Sequence, residues 1–434
     1  MPGPRRAHGR IVDMPAPIPA DSLWRDKTYR RLWLSLLLSA FSAQITGLTL
    51  ALTAAVQMRA SATQIATLGT MGIIPYVLFL LPAGVWLDRM RKLPAYLTGE
   101  LVMVVALAAV PLAWAWDGLG MELLYAVSFV GGLVSVFSGT AGQIVLTQIV
   151  RREQLVEAHG KSRIAASFAE VAGPGVAGIL IKLIGAPFAL LANCALLLGS
   201  VTILRRLDVT EPLPDARHSR FWPQLKEGIR FVTGDRLLLS MALGVGCWQV
   251  LQTCAMVTQV LFATRELQLS EFEYGLSLTG AGLGTVAAGL LGHHLARRFG
   301  PGPTLIGGVA ISGVGWLQLA LVPAGVPGIV SFVLMLACFS TAVVLIFSNM
   351  LALRQALTPA PMLARMTSTM RWLTLFPAWP GMLLGGALAE NFGLRVPLAV
   401  GGGGALVLAL WLWRFSILRR TTTLAVDEGA ATGL

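Results

Sequence analysis

Two groups of residues in this 434-residue chain have types and spacings that could do chemistry. Glu170 stands well inside an apolar run, where an acidic side chain is costly unless it faces a cavity or a partner. A carboxyl there can gain and lose a proton as its surroundings change, which makes Glu170 a candidate for proton coupling. The same residue could instead contact a cationic substrate or serve as a structural partner for Arg163 or Arg371. Glu100, nearer the inner end of its own run, is the other carboxylate so placed. The second group is Gly84, Asp88, Arg89, Arg91 and Lys92, in which an acid ends one apolar run and three bases follow. Asp88 can face the positive N-terminal end of another helix while Arg89 answers acidic or carbonyl groups. The plainer alternative is that these charges only mark topology.

Other chemistries are weakly represented. His293 and His294 adjoin the basic end of a run, where histidines can sense protons but are ordinarily interfacial. Cys194, Cys247, Cys254 and Cys338 all lie in apolar runs with no CxxC or metal-ligand spacing, and are expected to act as small core residues. Gly280, Gly282 and Gly284 echo a dinucleotide fingerprint, but no strand precedes them, and no P-loop is present for ATP. No metal or cofactor is expected.

The elements that must position these residues follow from composition. Hydrophobic residues make up 55% and charged ones 12%, with a mean hydropathy of +0.72; a soluble domain carries about a quarter charged residues. At about 20 residues per crossing, the chain holds twelve helices and little else. We place them near residues 31–57, 62–87, 94–116, 121–149, 158–185, 187–204, 237–263, 271–296, 303–322, 326–353, 366–391 and 395–417. All but four of the 33 lysines and arginines lie at alternate ends of these runs, leaving Arg59, Lys182, Arg265 and Arg395 for the other side. The positive-inside rule then puts both termini in the cytoplasm. Although the net charge is +12, the bases stand singly or in pairs with no stripe, which argues against nucleic acid. The first run is too long for a signal h-region and is expected to be retained, with Met14 an alternative start to Met1.

The division expected is a cytoplasmic arm at 1–30, a six-helix bundle at 31–206, a central loop at 207–236, a second bundle at 237–418 and a tail at 419–434. In the central loop Phe221, Trp222, Leu225, Ile229 and Val232 recur at helical spacing, which suits an amphipathic helix on the inner membrane surface and a structural tie between the halves. An internal repeat supports the division. Gly84, Leu87 and Arg89 align with Gly292, Leu295 and Arg297, and Gly173-Pro174-Gly175 resembles Trp379-Pro380-Gly381. Parallel six-helix repeats are a transporter architecture with the binding site between the halves. Small-residue stripes mark expected helix contacts: Ala165, Ala169, Gly173 and Ala177; Gly280, Gly284, Ala288 and Gly292; Gly381, Gly385 and Ala389.

These motifs resemble the major facilitator superfamily. The Gly84 to Lys92 set matches its loop signature between spans 2 and 3. Arg152-Glu153-Gln154-Leu155, with Gly173, Pro174 and Gly178 in span 5, is similar to the drug and siderophore exporter branch that includes macrolide efflux proteins and the enterobactin exporter. The resemblance covers roughly residues 24–418. It implies an all-α protein of two pseudo-symmetric six-helix bundles, a latch that meets span 11 near Thr367 and Ser368 when the site faces outward, and a span 5 motif linked to antiport. Ala296 stands where the second copy of the latch would need an aspartate.

In that superfamily spans 1, 4, 7 and 10 line the central cavity. The resemblance therefore implies substrate contacts at Gln44 and Thr49, with Thr46 nearby; at Gln143, with Thr147 and Gln148; at Gln252, with Gln249 and Gln259; and at Asn349, with Trp248 as an apolar wall. Each polar residue could equally make an interhelical hydrogen bond. Gln44 and Gly142 depart from the acidic and basic residues common in related exporters, which weakens any charge relay. The expected function is export of small organic molecules across the bacterial inner membrane by a monomer, driven by the proton gradient. An uptake permease, a membrane acyltransferase using His293 or His294, and a non-transporting sensor are the alternatives.

Overall fold

The computed structural model of the protein describes residues 22–151, 154–207, 209, 221–358 and 362–421. Arg152, Glu153, the surroundings of Gly84 and the side chains of Asp88, Ser368, Phe221, Trp222 and Leu225 lie outside what is described. Among the described residues there is no strand, and twelve helices are long and apolar enough to cross a membrane. They are span 1 (Lys27–Gln57), span 2 (Ala62–Leu80, its helix continuing to Asp88), span 3 (Lys92–Ala115), span 4 (Met121–Ile149), span 5 (Glu157–Ile184) and span 6 (Ala186–Leu204). The second set is span 7 (Arg236–Glu266), span 8 (Glu271–Phe299), span 9 (Pro301–Leu321), span 10 (Val326–Leu357), span 11 (Thr369–Phe392) and span 12 (Arg395–Phe415).

The two sets pack alike. Span 1 lies against spans 5 and 6, span 2 against span 4, and span 3 against spans 4 and 6. Span 7 lies against spans 11 and 12, span 8 against span 10, and span 9 against spans 10 and 12. The halves touch through span 2 with span 11 and span 5 with span 8, pairs that the same repeat exchanges.

The repeat extends to backbone detail at the links between spans 1 and 2 and between spans 7 and 8. Each first helix ends in a widened turn: Met58 N donates to Thr53 O and Ala60 N to Ala54 O at 3.0 and 2.9 Å, and Leu267 N donates to Phe262 O and Leu269 N to Ala263 O at 3.0 Å each. Arg59 and Gln268 then take the left-handed conformation (φ 50° and 55°), which turns the chain back at once. Ser61 and Ser270 restart the helices with matching capping boxes, closed by Gln64 and Glu273. Replacing both serines by alanine is expected to cost about 1 kcal/mol per cap, read as a lower thermal midpoint of the purified protein.

Small residues set the helix approaches. A Cβ on Gly284 would overlap the Ala337 carbonyl of span 10, and one on Gly385 would overlap the Cys254 carbonyl of span 7. The expected stripes on spans 8 and 11 are therefore contact faces. The second half departs from the first in continuity. Spans 7, 8 and 11 are interrupted near Thr258, Thr279 and Pro377, where Thr258 Oγ1 donates to Ala255 O, Thr279 Oγ1 donates to Leu276 O, and proline lacks an N–H. The helix Phe221–Gly234 packs against span 7 and against the helix Leu363–Leu375 that leads into span 11, with Val232 fully buried.

Candidate functional site

The lysine- and arginine-rich ends of the spans share one face of the molecule. Among the described residues, the hydrogen bonds that join the halves gather at the other face. Arg265 donates to Ala60 O at 2.6 Å, Gln57 Nε2 to Glu271 Oε1 at 3.5 Å, and Ser61 Oγ and Thr63 N to Glu390 Oε2 at 3.4 and 3.2 Å. Deeper in, Trp372 Nε1 donates to Val77 O at 3.0 Å. Backbone approach reinforces this closure: Gly386 meets Ala62 and Ala66, and Gly275 lies 3.0 Å, at its would-be Cβ, from both Gly178 Cα and Pro174 O.

Beneath the closure, between the halves, is a cavity of about 530 Å³. Its polar lining is Gln44, Ser128, Glu170, Gln259, Tyr274 and Ser340; its apolar lining includes Met256, Phe339 and Met382. Gln259 Nε2 donates to the Tyr274 hydroxyl at 3.4 Å. Unbranched methionines on two spans give this wall freedom to repack around different shapes.

Several expected contacts lie here. Gln44 and Glu170 line the cavity, and Pro174 is part of its wall. Glu170 is half-exposed with its Oε1 3.7 Å from Arg163, so of the two arginines considered it faces Arg163. Gly173 and Gly178 serve close packing: a Cβ on Gly173 would come within 2.7 Å of Gln44 on span 1, and Gly178 abuts Gly275 on span 8.

Other expected contacts lie elsewhere. Trp248 is not a cavity wall. It is 1% exposed inside the second half, where its indole N–H donates to Ser312 Oγ at 2.9 Å and its ring meets Phe347 edge to face. Span 7 turns a different side to the cavity, that of Met256, Val257, Gln259 and Val260. Thr49 is fully buried and Gln252 is buried, and among the described residues the Thr49 hydroxyl and both Gln252 amide atoms have no partner. Asn349 donates back to Leu345 O of its own helix at 2.8 Å, and Gln143 is exposed but not among the cavity residues. Arg89 and Arg91 are exposed at the arginine-rich face, while the Asp88 side chain on which the latch depends lies outside the described set. His293 and His294 are exposed at the same face.

A second chamber, of about 420 Å³, lies within the first six-helix set and shares Ala43, Gly47, Leu50 and Ser128 with the first. Glu100 of span 3 lines it at 4% exposure. Ser39 Oγ donates to Glu100 Oε1 at 2.8 Å and lies 3.4 Å from the Tyr96 hydroxyl and 3.3 Å from Ser200 Oγ, which itself bonds Ser35 Oγ at 2.8 Å. Among the described residues Glu100 Oε2 has no hydrogen-bond partner, and no lysine or arginine lines the chamber. A buried carboxyl with a bare oxygen in an apolar bundle is a candidate functional site. Glu100 was visible in the sequence, but the ring of hydroxyls around it was not, because they come from spans 1, 3 and 6.

Comparison with known proteins agrees with this architecture. The multidrug efflux pump Tap of Mycolicibacterium fortuitum is 22% identical over 353 residues, covering 78% of this chain and 84% of Tap. A bacterial homologue of the iron transporter ferroportin, solved in its inward-facing state, superposes with a TM-score of 0.73 at 16% identity, covering 91% of this chain and all of that one. A D-xylose-proton symporter superposes with a TM-score of 0.66 at 15% identity, covering 93% and 100%. The model of the Major Facilitator Superfamily matches residues 32–261 and again 250–432, once for each half. With its twelve spans, doubled packing pattern and inter-half cavity, the chain belongs to the major facilitator superfamily of membrane transporters.

Proposed function

We propose that the chain exports small amphipathic organic molecules, of drug, antibiotic or siderophore type, from the cytoplasm across the bacterial inner membrane, in exchange for protons. The observation that carries this reading is the inter-half cavity, closed at the arginine-poor face and lined by hydroxyls, amides, one carboxylate and methionines. By the positive-inside rule the arginine-rich face is cytoplasmic, so the substrate enters from the cytoplasm in the arrangement described. Rocking of the halves about the span 2 with span 11 and span 5 with span 8 contacts then presents it to the outside. The similarity to an efflux pump favours export over uptake on the same fold.

Two carboxylates divide the work in this proposal. Glu170, half-exposed in the central cavity, meets substrate, and Glu100, in the adjoining chamber, takes and releases the coupling proton. One charge crossing 100 mV is worth about 2.3 kcal/mol, enough for almost fiftyfold accumulation at about 1.4 kcal/mol per decade. The protein works as a monomer without ATP or a bound cofactor.

Everted membrane vesicles with an imposed proton gradient, acid inside, test direction and coupling together. Candidate substrates such as macrolides or fluorescent dyes are expected to accumulate inside, and to leak out when a protonophore is added. Accumulation only in right-side-out vesicles would assign uptake instead, and accumulation indifferent to protonophore would remove proton coupling.

A further inference from the structure

At the arginine-rich face, away from both cavities, the ends of spans 7 and 12 enclose a recess of about 540 Å³. Arg236, Arg414, Arg419 and Arg420 line it, and among the described residues no aspartate or glutamate does. The neighbouring Asp235 caps span 7 through Oδ1, which accepts from Leu237 N and Leu238 N at 2.8 and 2.9 Å. Among the described residues none of the four arginines forms an ion pair. Four guanidinium groups lining one recess give it a positive field that favours an anion.

The recess is built rather than incidental. Ser240 Oγ and Ser416 Oγ lie 2.6 Å apart in its wall, and Ser416 Oγ also accepts from Leu418 N at 3.1 Å. The turn Ile417–Arg420 that carries two of the arginines is pinned by the fully buried Leu418 and by Gly302 N of span 9 donating to Thr421 O at 3.2 Å. A Cβ on Gly302 would overlap the Leu418 carbonyl, so the turn sits directly on span 9. Leu243, Trp411 and Phe415 border the recess and are 59%, 53% and 69% exposed. On a membrane-spanning helix, apolar side chains exposed in that way meet lipid tails, while arginines at the helix end meet head groups.

We propose that this recess is a binding site for an anionic phospholipid, its phosphate held by the four arginines and its acyl chains lying along Leu243, Trp411 and Phe415. Guanidinium forks match phosphate oxygens, and the one hydroxyl hydrogen not used between Ser240 and Ser416 supplies a further donor. The apolar border selects a lipid over free phosphate, since the latter leaves Trp411 and Phe415 unused. Such a lipid would tie the cytoplasmic end of span 7 to span 12, and span 7 carries Gln259 into the transport cavity.

Native mass spectrometry of the detergent-purified full chain, titrated with dioleoyl phosphatidylglycerol or dioleoyl phosphatidylcholine, tests the site. The unmodified protein is expected to bind the first phosphatidylglycerol at least tenfold more tightly than phosphatidylcholine. Arg414→Gln combined with Arg419→Gln should reduce that preference to twofold or less. Arg297→Gln with Arg298→Gln, which removes the same charge from the end of span 8, should leave it intact. Arg236→Gln alone, expected to weaken binding about threefold, keeps the test decisive if the double variant does not fold. Equal loss in the span 8 control would reduce the effect to general surface charge and overturn the proposal. So would an undiminished preference in the recess variants, or displacement of the lipid by millimolar inorganic phosphate.

Discussion

Glu100→Gln is expected to lower proton-driven transport at least tenfold while leaving protein level and substrate exchange at equilibrium unchanged. The substitution keeps the shape of the side chain and the Ser39 contact at Oε1, which accepts at 2.8 Å, and removes only the capacity to titrate. Among the described residues an ionised Glu100 has no donor for Oε2 and no basic residue lines its chamber; a protonated one does not leave that charge bare. In the proposed exchange each protonation event would therefore change the energy of the first half, as a coupling group must. In the proposed exchange span 1 would transmit the change, because Ser39 is bonded to Glu100 while Ala43, Gln44 and Gly47 on the same helix line the inter-half cavity. Glu170→Gln should behave differently. Its ion pair with Arg163 is long and exposed, and such pairs contribute about 0 to 1 kcal/mol, so a change of at most about fivefold, confined to cationic substrates, is expected. Proton-dependent transport measured in vesicles, beside exchange of labelled for unlabelled substrate without a gradient, separates the two. If Glu100→Gln transports normally and Glu170→Gln does not, the coupling proton belongs to Glu170.

The contrast between these two carboxylates shows what sequence alone makes legible. Twelve spans could be placed to within a few residues because bilayer thickness dictates run length and charge asymmetry marks the ends, both of which are local properties of the chain. The repeat was legible for the same reason at Gly84 and Gly292, although the matched capping boxes at Ser61 and Ser270 are its better-preserved part. Which side of a helix faces the cavity was not legible. Trp248 and Gln259 lie on one span, and a run apolar on all sides carries no moment to say that the former points into the bundle. The setting of Glu100 depends on Ser39 and Ser200, sixty or more residues away on either side, and only tertiary packing assembles them. The breaks at Thr258 and Thr279 escaped for a further reason: threonine within an apolar run reads as tolerated helix until its hydroxyl is seen bonding backward.

Gly275→Leu should wedge the halves apart at the arginine-poor face and shift the protein toward the conformation open on that side. A Cβ at this position would already lie 3.0 Å from Gly178 Cα and from Pro174 O, both backbone of the opposing helix and unable to swing away. Overpacking of this kind costs typically about 1 to 3 kcal/mol, and here the cost falls only on the closed arrangement, because separating spans 5 and 8 relieves it. A bias of that size changes the ratio of the two conformations by about 5- to 150-fold. Transport requires both conformations in each cycle, so the expected result is a fall of at least fivefold in rate with protein level maintained. A direct reading comes from a cysteine placed at Ser128, in the cavity wall, in a chain whose four native cysteines have been replaced. It should react faster with an impermeant thiol reagent added from the outside in Gly275→Leu than in its parent. Gly139→Ala is the matched control, since nothing lies within 4 Å of its added carbon. Unchanged labelling with lost transport would mean that Gly275 acts within its own half, whereas faster labelling identifies the Gly178 and Gly275 contact as part of the gate. On that outcome the span 5 motif divides in two: Pro174 and Gly178 let the backbones of spans 5 and 8 meet across the halves, while Gly173 packs on Gln44 within the first half.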